Sequence, residues 1–472
     1  MSDSDTDGSE FKSQVMRGSV HLLLRQGVGN VIRVVGVFAM IALLGVEAYG
    51  AYVIPVSIAV PTGMLLQLGI PTYLTRRADE PPKAAFDLVA THNGVVGLAL
   101  VLLGAGLFVL GGNDVVLAGS GIAVALAIDI QGTAARVTMD RRLRFGERGL
   151  VEVVGDLVFY GVAIPLAVLD FGFAAPVIGQ IAMSSTLAGG LLWRSGYRPA
   201  PLLDPVRWWS EVKRGYSYAI YDASIHAFDS ALTLIAGAVL GTAGSGVVGA
   251  AQRLANRTAV LRVAVDQVAM ASLAKVQGDP ERLRRAHSQG VLLHLLSTGV
   301  IISGVAFAAP LLLPYVIDTG ASEWGPALPV LGLLCLFQLL SVSFDLHGNV
   351  LRVTERPKPA TRQRLLQVGI AALSAVPLAL LFDEIGLGLA AVASTASFLT
   401  LERPVREIFI PTYGRYLPWI LALAPASLTA FLPSNAWLPI LFVPGALLLA
   451  LPSYRHDLFD QGRQALAAVV GR

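Results

Sequence analysis

A single cysteine, Cys335, occurs in 472 residues. It excludes an internal disulfide framework, a cysteine zinc cluster and a dithiol redox pair. Charge is also scarce. Asp, Glu, Lys and Arg make up 14% of the chain against 54% hydrophobic residues, where a soluble domain carries roughly 25% charged residues. Soluble enzymes, nucleic-acid binders and disordered scaffolds fit that balance poorly. Catalytic signatures are missing too. There is no His/Glu zinc spacing, no G-x-S-x-G elbow and no phosphate-binding glycine loop before Lys-Ser or Lys-Thr. The sequence therefore predicts no enzyme, no cofactor and no nucleic-acid partner.

What is present is a succession of long apolar runs. A bilayer-spanning helix needs about 20 residues, so 14 of them leave short connections and no sizeable domain outside the membrane. The runs predict an all-α polytopic membrane protein. Its helices fall near 20–44, 48–70, 86–110, 115–135, 150–169, 175–193, 217–240 and 247–274. Six more fall near 289–312, 326–350, 366–382, 387–408, 417–432 and 438–452. The opening MSDSDTDGSE is acidic and apolar-poor, so residues 1–19 read as a disordered tail. A cleavable signal starts basic, and helix 1 is expected to be retained.

The positions of the charges test this count, because cytoplasmic loops carry excess Lys and Arg. With both termini cytoplasmic, the inside segments hold 30 of the 35 basic residues. The remaining five, Arg25, Arg33, Arg253, Arg257 and Arg262, fall within helices. The outside loops hold only acids, among them Glu47, Asp114, Asp170, Asp318 and Glu323. An error of one helix in the middle would flip every later loop and destroy the asymmetry.

A repeat accompanies the topology. Leu44-Gly45 followed by Gly50 matches Leu240-Gly241 followed by Gly246, at an offset of 196 residues. Phe171-Gly172-Phe173-Ala174-Ala175 resembles the run from Ile385 to Ala390. The expected organisation is an N-lobe over 20–216, a C-lobe over 217–408 and a terminal helix pair with its tail over 409–472. Two six-helix bundles cross in the same sense, related by an axis along the membrane normal.

Ionisable groups inside a bilayer are functional candidates, since each costs about 2.5–3.5 kcal/mol on insertion scales. On helix 7, Tyr218, Asp222, His226, Asp229 and Thr233 fall on one stripe at 100° per residue. Asp222, His226 and Asp229 either bind a proton or Na⁺, counter a basic substrate clamp, or form a fixed ion pair with arginines of helix 1 or 8. Helix 1 carries Arg25 and Arg33. Arg33 lies too deep to reach the headgroups, whereas Arg25 either snorkels or joins a substrate site. On helix 8, Arg253 and Arg257 share a face and are a candidate half of an anion clamp, because guanidinium donors match phosphate. Arg262 and Asp266, spaced i, i+4, read as an internal salt bridge. Glu152 and Asp156 read as local partners of the Arg-rich loop 136–148, and His92 and His294 as isolated packing residues.

Several scattered segments resemble one family. They are Ala42 through Tyr52 at the turn after helix 1, Gly69-Ile70-Pro71 ending helix 2, and Gly249-Ala250-Ala251-Gln252-Arg253-Leu254 in helix 8. Trp324 through Leu334 and Gly386 through Ala391 complete the set. The chain resembles the Wzx-type polysaccharide flippases of the oligosaccharidyl-lipid exporter superfamily. The resemblance implies two lobes around a central cavity worked by alternating access. It implies a cargo of lipid-phosphate-linked oligosaccharide moved from the cytoplasmic to the outer leaflet of the cell membrane. Arg33, Arg253 and Arg257, with Arg25, would contact the headgroup while the lipid tail stays among membrane lipids. The acids of helix 7 depart from a simple basic cavity and keep two other readings open. One is an organic-cation antiporter of the related multidrug branch. The other is a membrane scaffold for a glycosyltransferase complex.

Overall fold

The computed structural model describes residues 29, 32–77, 79–258, 276–316, 321–354, 356–432 and 437–455, with Arg262, Asp266, Ala269, Met270, Ser272 and Leu273. Among the described residues every regular element is helical. In chain order these are α1 (Ile32–Leu43), α2 (Val46–Leu66), α3 (Lys83–Leu110), α4 (Asp114–Arg141), α5 (Phe145–Val168) and α6 (Ala174–Ser195). Then come α7 (205–240) and α8 (242–258), one helical stretch interrupted at Gly241 with φ 77° and ψ −169°. After α9 (280–316) and α10 (Ala327–Val353), a second stretch breaks at Phe382 and Asp383 into α11 (357–381) and α12 (384–406). The last are α13 (413–431), which tightens to 3₁₀ turns from Ala424, and α14 (Leu438–Ala450).

The fourteen helices agree with the fourteen apolar runs, and the protein is a multi-pass membrane protein. Among the described residues, nine stretches are long and apolar enough to cross a bilayer, two of them holding the breaks at Gly241 and Phe382. Several helices start well before the apolar run. α7 begins at Pro205, capped by Asp204, whose Oδ1 accepts from Arg207 N at 3.0 Å. α9 begins at Pro280, where the Asp279 side chain accepts from Glu281 N and Arg282 N. Polar caps and a proline at the first helical position define these ends, so hydropathy alone places them too late. Helical geometry also continues through Pro55, Pro61, Pro165 and Pro377, while the breaks fall elsewhere.

The chain divides into two compact units, Met1–Gly237 and Ala238–Arg472. In the first, α5 packs along α6 and α3 along α4. Lipid is as apolar as leucine, so close approach between membrane helices comes from small residues. A Cβ on Gly179 of α6 would lie 2.9 Å from Ala163 Cβ and 3.0 Å from Phe159 O. A short helix, Ile70–Arg76, follows α2 through Gly69 at φ 65°. A Cβ on Gly69 would sit 2.2 Å from Gly215 O, and one on Gly215 2.6 Å from Leu68 O, so this segment crosses α7 backbone to backbone. Leu74 and Ile70 then reach a buried cluster with Ala85, Val89, Ala134, Val137 and Val212.

Two polar ties hold the basic end of this unit. Arg141 donates to the carbonyls of Leu74 and Arg77 at 2.8 Å and of Asp79 at 2.9 Å. The connection after α6 lies on α3. Tyr197 Oη donates to Asp87 Oδ1 at 2.8 Å, and Leu202 N donates to Thr91 Oγ1 at 2.9 Å. Burial, and then that bond to Asp87, raise the Tyr197 hydroxyl above its ordinary value.

In the second unit α10 is the central helix, with Val330, Leu331, Cys335, Leu339, Val342, Leu346 and Val350 all buried. It packs on α9, α11 and the 3₁₀ turns of α13. Gly332 permits that last contact, because a Cβ there would lie 2.4 Å from Ser427 O.

Candidate functional site

In the first unit, α1 carries Arg33 toward α5. Arg33 Nε and Nη2 both lie 2.6 Å from Asp156 Oδ2, and the side chains are 28% and 13% exposed. Tyr160, one turn further along α5, donates to Arg33 O at 3.1 Å. Its ring lies over Gly36, where a Cβ would come within 2.3 Å of Cε1. Asp156 is thus not a partner of the 136–148 loop. Glu152 is, meeting Arg148 at 2.8 Å, and Arg148 also holds Asp140 at 2.7 Å. Arg25 lies outside the described residues.

On α7 the titratable stripe is present and partly exposed: Asp222, His226 and Asp229 are all half-buried. Asp222 is held by a neutral donor, since Thr72 Oγ1 donates to its Oδ2 at 2.6 Å. Thr72 belongs to the short helix that Gly69 and Gly215 allow onto α7. The Asp229 carbonyl accepts from Thr233 Oγ1 at 3.1 Å, and Arg76 sits 5.4 Å above the Tyr218 ring. Sequence reasoning missed Thr72. Its signal was Gly69-Ile70-Pro71, which marks a chain reversal but not its target.

In the second unit Arg253 and Arg257 are half-buried on α8. Arg262 does not pair with Asp266. Its Nη2 donates to Asp345 Oδ1 at 2.8 Å, its Nε lies 2.7 Å from Asp345 Oδ2, and its Nη1 donates to Gln338 Oε1 at 3.0 Å. A bidentate carboxylate on α10 outcompetes a single i, i+4 contact. Asp266 instead accepts from Asn349 Nδ2 at 3.1 Å and lies 3.9 Å from His294 Nε2. Neither singled-out histidine is isolated, for His92 Nε2 is 2.8 Å from Leu66 O. Asp129, on α4, lies 3.8 Å from Arg136.

The arrangement includes the Arg33–Asp156 pair in the first unit, the Arg262–Asp345 pair in the second and an acidic stripe on α7. Arg33, on a single carboxylate oxygen, can exchange partners, whereas Arg262 is held on two sides.

Residues 39–329 match the family described as "Polysaccharide biosynthesis protein". Solved structures with the same fold cover 83–96% of the chain. The lipid II flippase MurJ in an inward closed conformation is 13% identical, with TM-score 0.65, covering 96% of this chain and 99% of its own. An inward-facing multidrug resistance MATE transporter of the MOP superfamily is 16% identical, with TM-score 0.61, covering 83% and 98%. A MOP superfamily transporter from Pyrococcus furiosus Vc1 (DSM3638), described by a binding pocket of reverse polarity, is 12% identical, with TM-score 0.52, covering 83% and 95%. Curated proteins give no significant sequence match.

Proposed function

Because the chain belongs to the polysaccharide biosynthesis protein family, we propose that it is a flippase carrying a lipid-phosphate-linked oligosaccharide from the cytoplasmic to the outer leaflet by alternating access. The observation that carries this reading is Arg33. It is a partly exposed guanidinium on an apolar helix, and both contacting nitrogens rest on one oxygen of Asp156. A phosphate offers a fork-to-fork arrangement in place of that single oxygen, and is the stronger partner. Arg253 and Arg257 supply further guanidinium groups from α8, and Arg25 is a fourth candidate on the sequence alone. The glycan needs polar surface while its lipid tail remains in the bilayer. Asp222, His226 and Asp229 are proposed to take the coupling ion, a proton or Na⁺.

The cell membrane is the proposed location, with both termini cytoplasmic. The basic loops around Arg141 and Arg148 and the connection bearing Tyr197 would then face the cytoplasm. One observation favours a second reading: a half-buried acidic stripe on α7 suits an organic cation as well as a coupling ion, and would serve an antiporter on the same fold.

Leaflet-resolved translocation in proteoliposomes tests the proposal, using a fluorescent lipid-phosphate-linked oligosaccharide and an organic cation as the control cargo. Glycolipid movement that collapses in Arg33→Ala supports the flippase. Cation movement without glycolipid movement moves the assignment to the antiporter.

A further inference from the structure

The second unit holds a polar cluster whose charges do not balance. Its members are Asn256 on α8, then Arg262 and Asp266, then His294 on α9, then Gln338, Asp345 and Asn349 on α10. Arg262 and Asp345 neutralise one another. Asp266 has no such counter-charge within the cluster. Around it, among the described residues, stand Arg262, already committed to Asp345, then His294 from α9 and Asp345 and Asn349 from α10. With a neutral imidazole, one guanidinium faces two carboxylates and the cluster carries a net negative charge. The Asp266 side chain is 33% exposed, and a carboxylate partly withdrawn among apolar helices without a counter-charge is driven toward taking up a proton or pairing.

His294 supplies the second observation. Its side chain is fully buried, Nε2 lies 3.4 Å from the Arg262 carbonyl and 3.9 Å from Asp266 Oδ1, and buried Nδ1 has no hydrogen-bond partner among the described residues. A turn of π-helix, Leu295–Gly299, begins at the next residue. Such single turns interrupt α-helices mostly at functional sites, and here the irregular turn follows directly on the ring.

We propose that Asp266 and His294 form a proton-binding site inside the second unit, in which the Nε2–H of the neutral imidazole faces the Arg262 carbonyl and Asp266 Oδ1, and one proton is taken up on the Asp266 carboxyl. The proton comes from water and returns to it, and uptake brings the cluster to neutrality. A metal cation suits the site less well. Asn349 presents its N–H to Asp266, and Gln338 directs Oε1 to Arg262 and Nε2 to Asn256, so the amide oxygens nearest the carboxylates are turned away or occupied. The site is separate from the α7 stripe, which lies in the first unit. Its use in driving transport rests on the flippase reading; proton binding does not.

Infrared pH-difference spectroscopy of the full chain in lipid nanodiscs, without any glycolipid, tests the site. Between about pH 8 and pH 5, where histidine-linked sites titrate, a protonated-carboxyl band is expected to grow in the wild type. It should be absent in Asp266→Asn, which keeps the side-chain volume and the contact with Asn349, and displaced along the pH axis in His294→Gln. Added sodium at fixed pH should leave it unchanged. A band that survives intact in Asp266→Asn overturns the proposal, as does one that His294→Gln leaves in place. A sodium-induced loss of the band reassigns the site to a metal cation and also overturns it. If Asp266→Asn does not fold, the His294→Gln displacement and the sodium arm decide alone. In proteoliposomes, Asp266→Asn should weaken the response of glycolipid flux to a pH gradient, with the acids of α7 still in place. Absence of any flux in the wild type would instead defeat the flippase reading and leave the infrared result standing.

Discussion

Arg33 and Asp156 stand 123 residues apart in the chain and meet at 2.6 Å, joining α1 to α5 within the first unit. The pair has two consequences. It lets an arginine reside in an apolar helix, and it leaves that arginine attached through one oxygen only. Removing the carboxylate should therefore destabilise the protein while freeing the guanidinium. Asp156→Asn is expected to cost roughly 1–3 kcal/mol, below the 3–5 kcal/mol of a fully buried pair because Arg33 is partly exposed. Thermal unfolding in detergent measures it. The double variant Asp156→Asn, Arg33→Gln should recover most of the loss, since no unpaired charge remains.

The crossing of the short helix over α7 depends on two residues without side chains. Gly215→Ala puts a Cβ 2.6 Å from Leu68 O and 2.8 Å from Ile70 N, both backbone atoms that cannot swing aside. Overpacking of this kind costs about 1–3 kcal/mol. The variant should melt lower, and Thr72 should lose its hold on Asp222. Gly149→Ala, at a position open to its surroundings, serves as the control and should behave as wild type.

Arg141 reaches the carbonyls of Leu74, Arg77 and Asp79 at once. A lysine carries the same charge on a single point and cannot span them. Hydrogen–deuterium exchange should rise across residues 74–80 in Arg141→Lys, with little change in α5 and α6. Equal protection in the two proteins would remove Arg141 from this role.

Tyr197 gives an alkaline prediction. Burial and its bond to Asp87 raise its hydroxyl above the ordinary value of 10, so folding favours the protonated phenol. Its stabilising contribution is fully present below pH 10 and lost as pH rises through the raised value. Ultraviolet titration should show Tyr197 ionising late, and Tyr197→Phe should remove one late-ionising group. It should also flatten the alkaline loss of stability over that window.

Arg253 and Arg257 are the remaining described members of the proposed phosphate contact. Replacing either by Gln should lower glycolipid flux by about tenfold, as expected where a charge-assisted contact worth about 1.4 kcal/mol is lost. Flux of an organic cation, if any occurs, should not fall with them. An unchanged glycolipid flux in both variants would confine headgroup recognition to the first unit.

How much was legible beforehand follows from which forces act locally. Fourteen helices could be read because a bilayer imposes one length and one polarity on each span, and both are written in consecutive residues. The stripe of Asp222, His226 and Asp229 could be read for a similar reason, since helical periodicity places them on one face. Helix starts were misjudged at Pro205 and Pro280, where a capping aspartate rather than hydropathy sets the end.

Partners were another matter. Arg262 and Asp266 are four residues apart in the chain, yet Arg262 takes Asp345 and Asp266 lies 3.9 Å from His294. Asp156 sits beside an arginine-rich loop and takes Arg33. Spacing along a helix states only which side chains are able to touch. Which charge neutralises which is settled when separate helices pack and exclude water, because an ionised group then binds the best geometry within reach rather than the nearest residue in the chain. Composition and periodicity therefore determined that this is a many-helix membrane protein and which residues are charged inside it. Only the packing of α1 on α5, and of α9 and α10 around Arg262 and Asp266, decided how those charges are balanced.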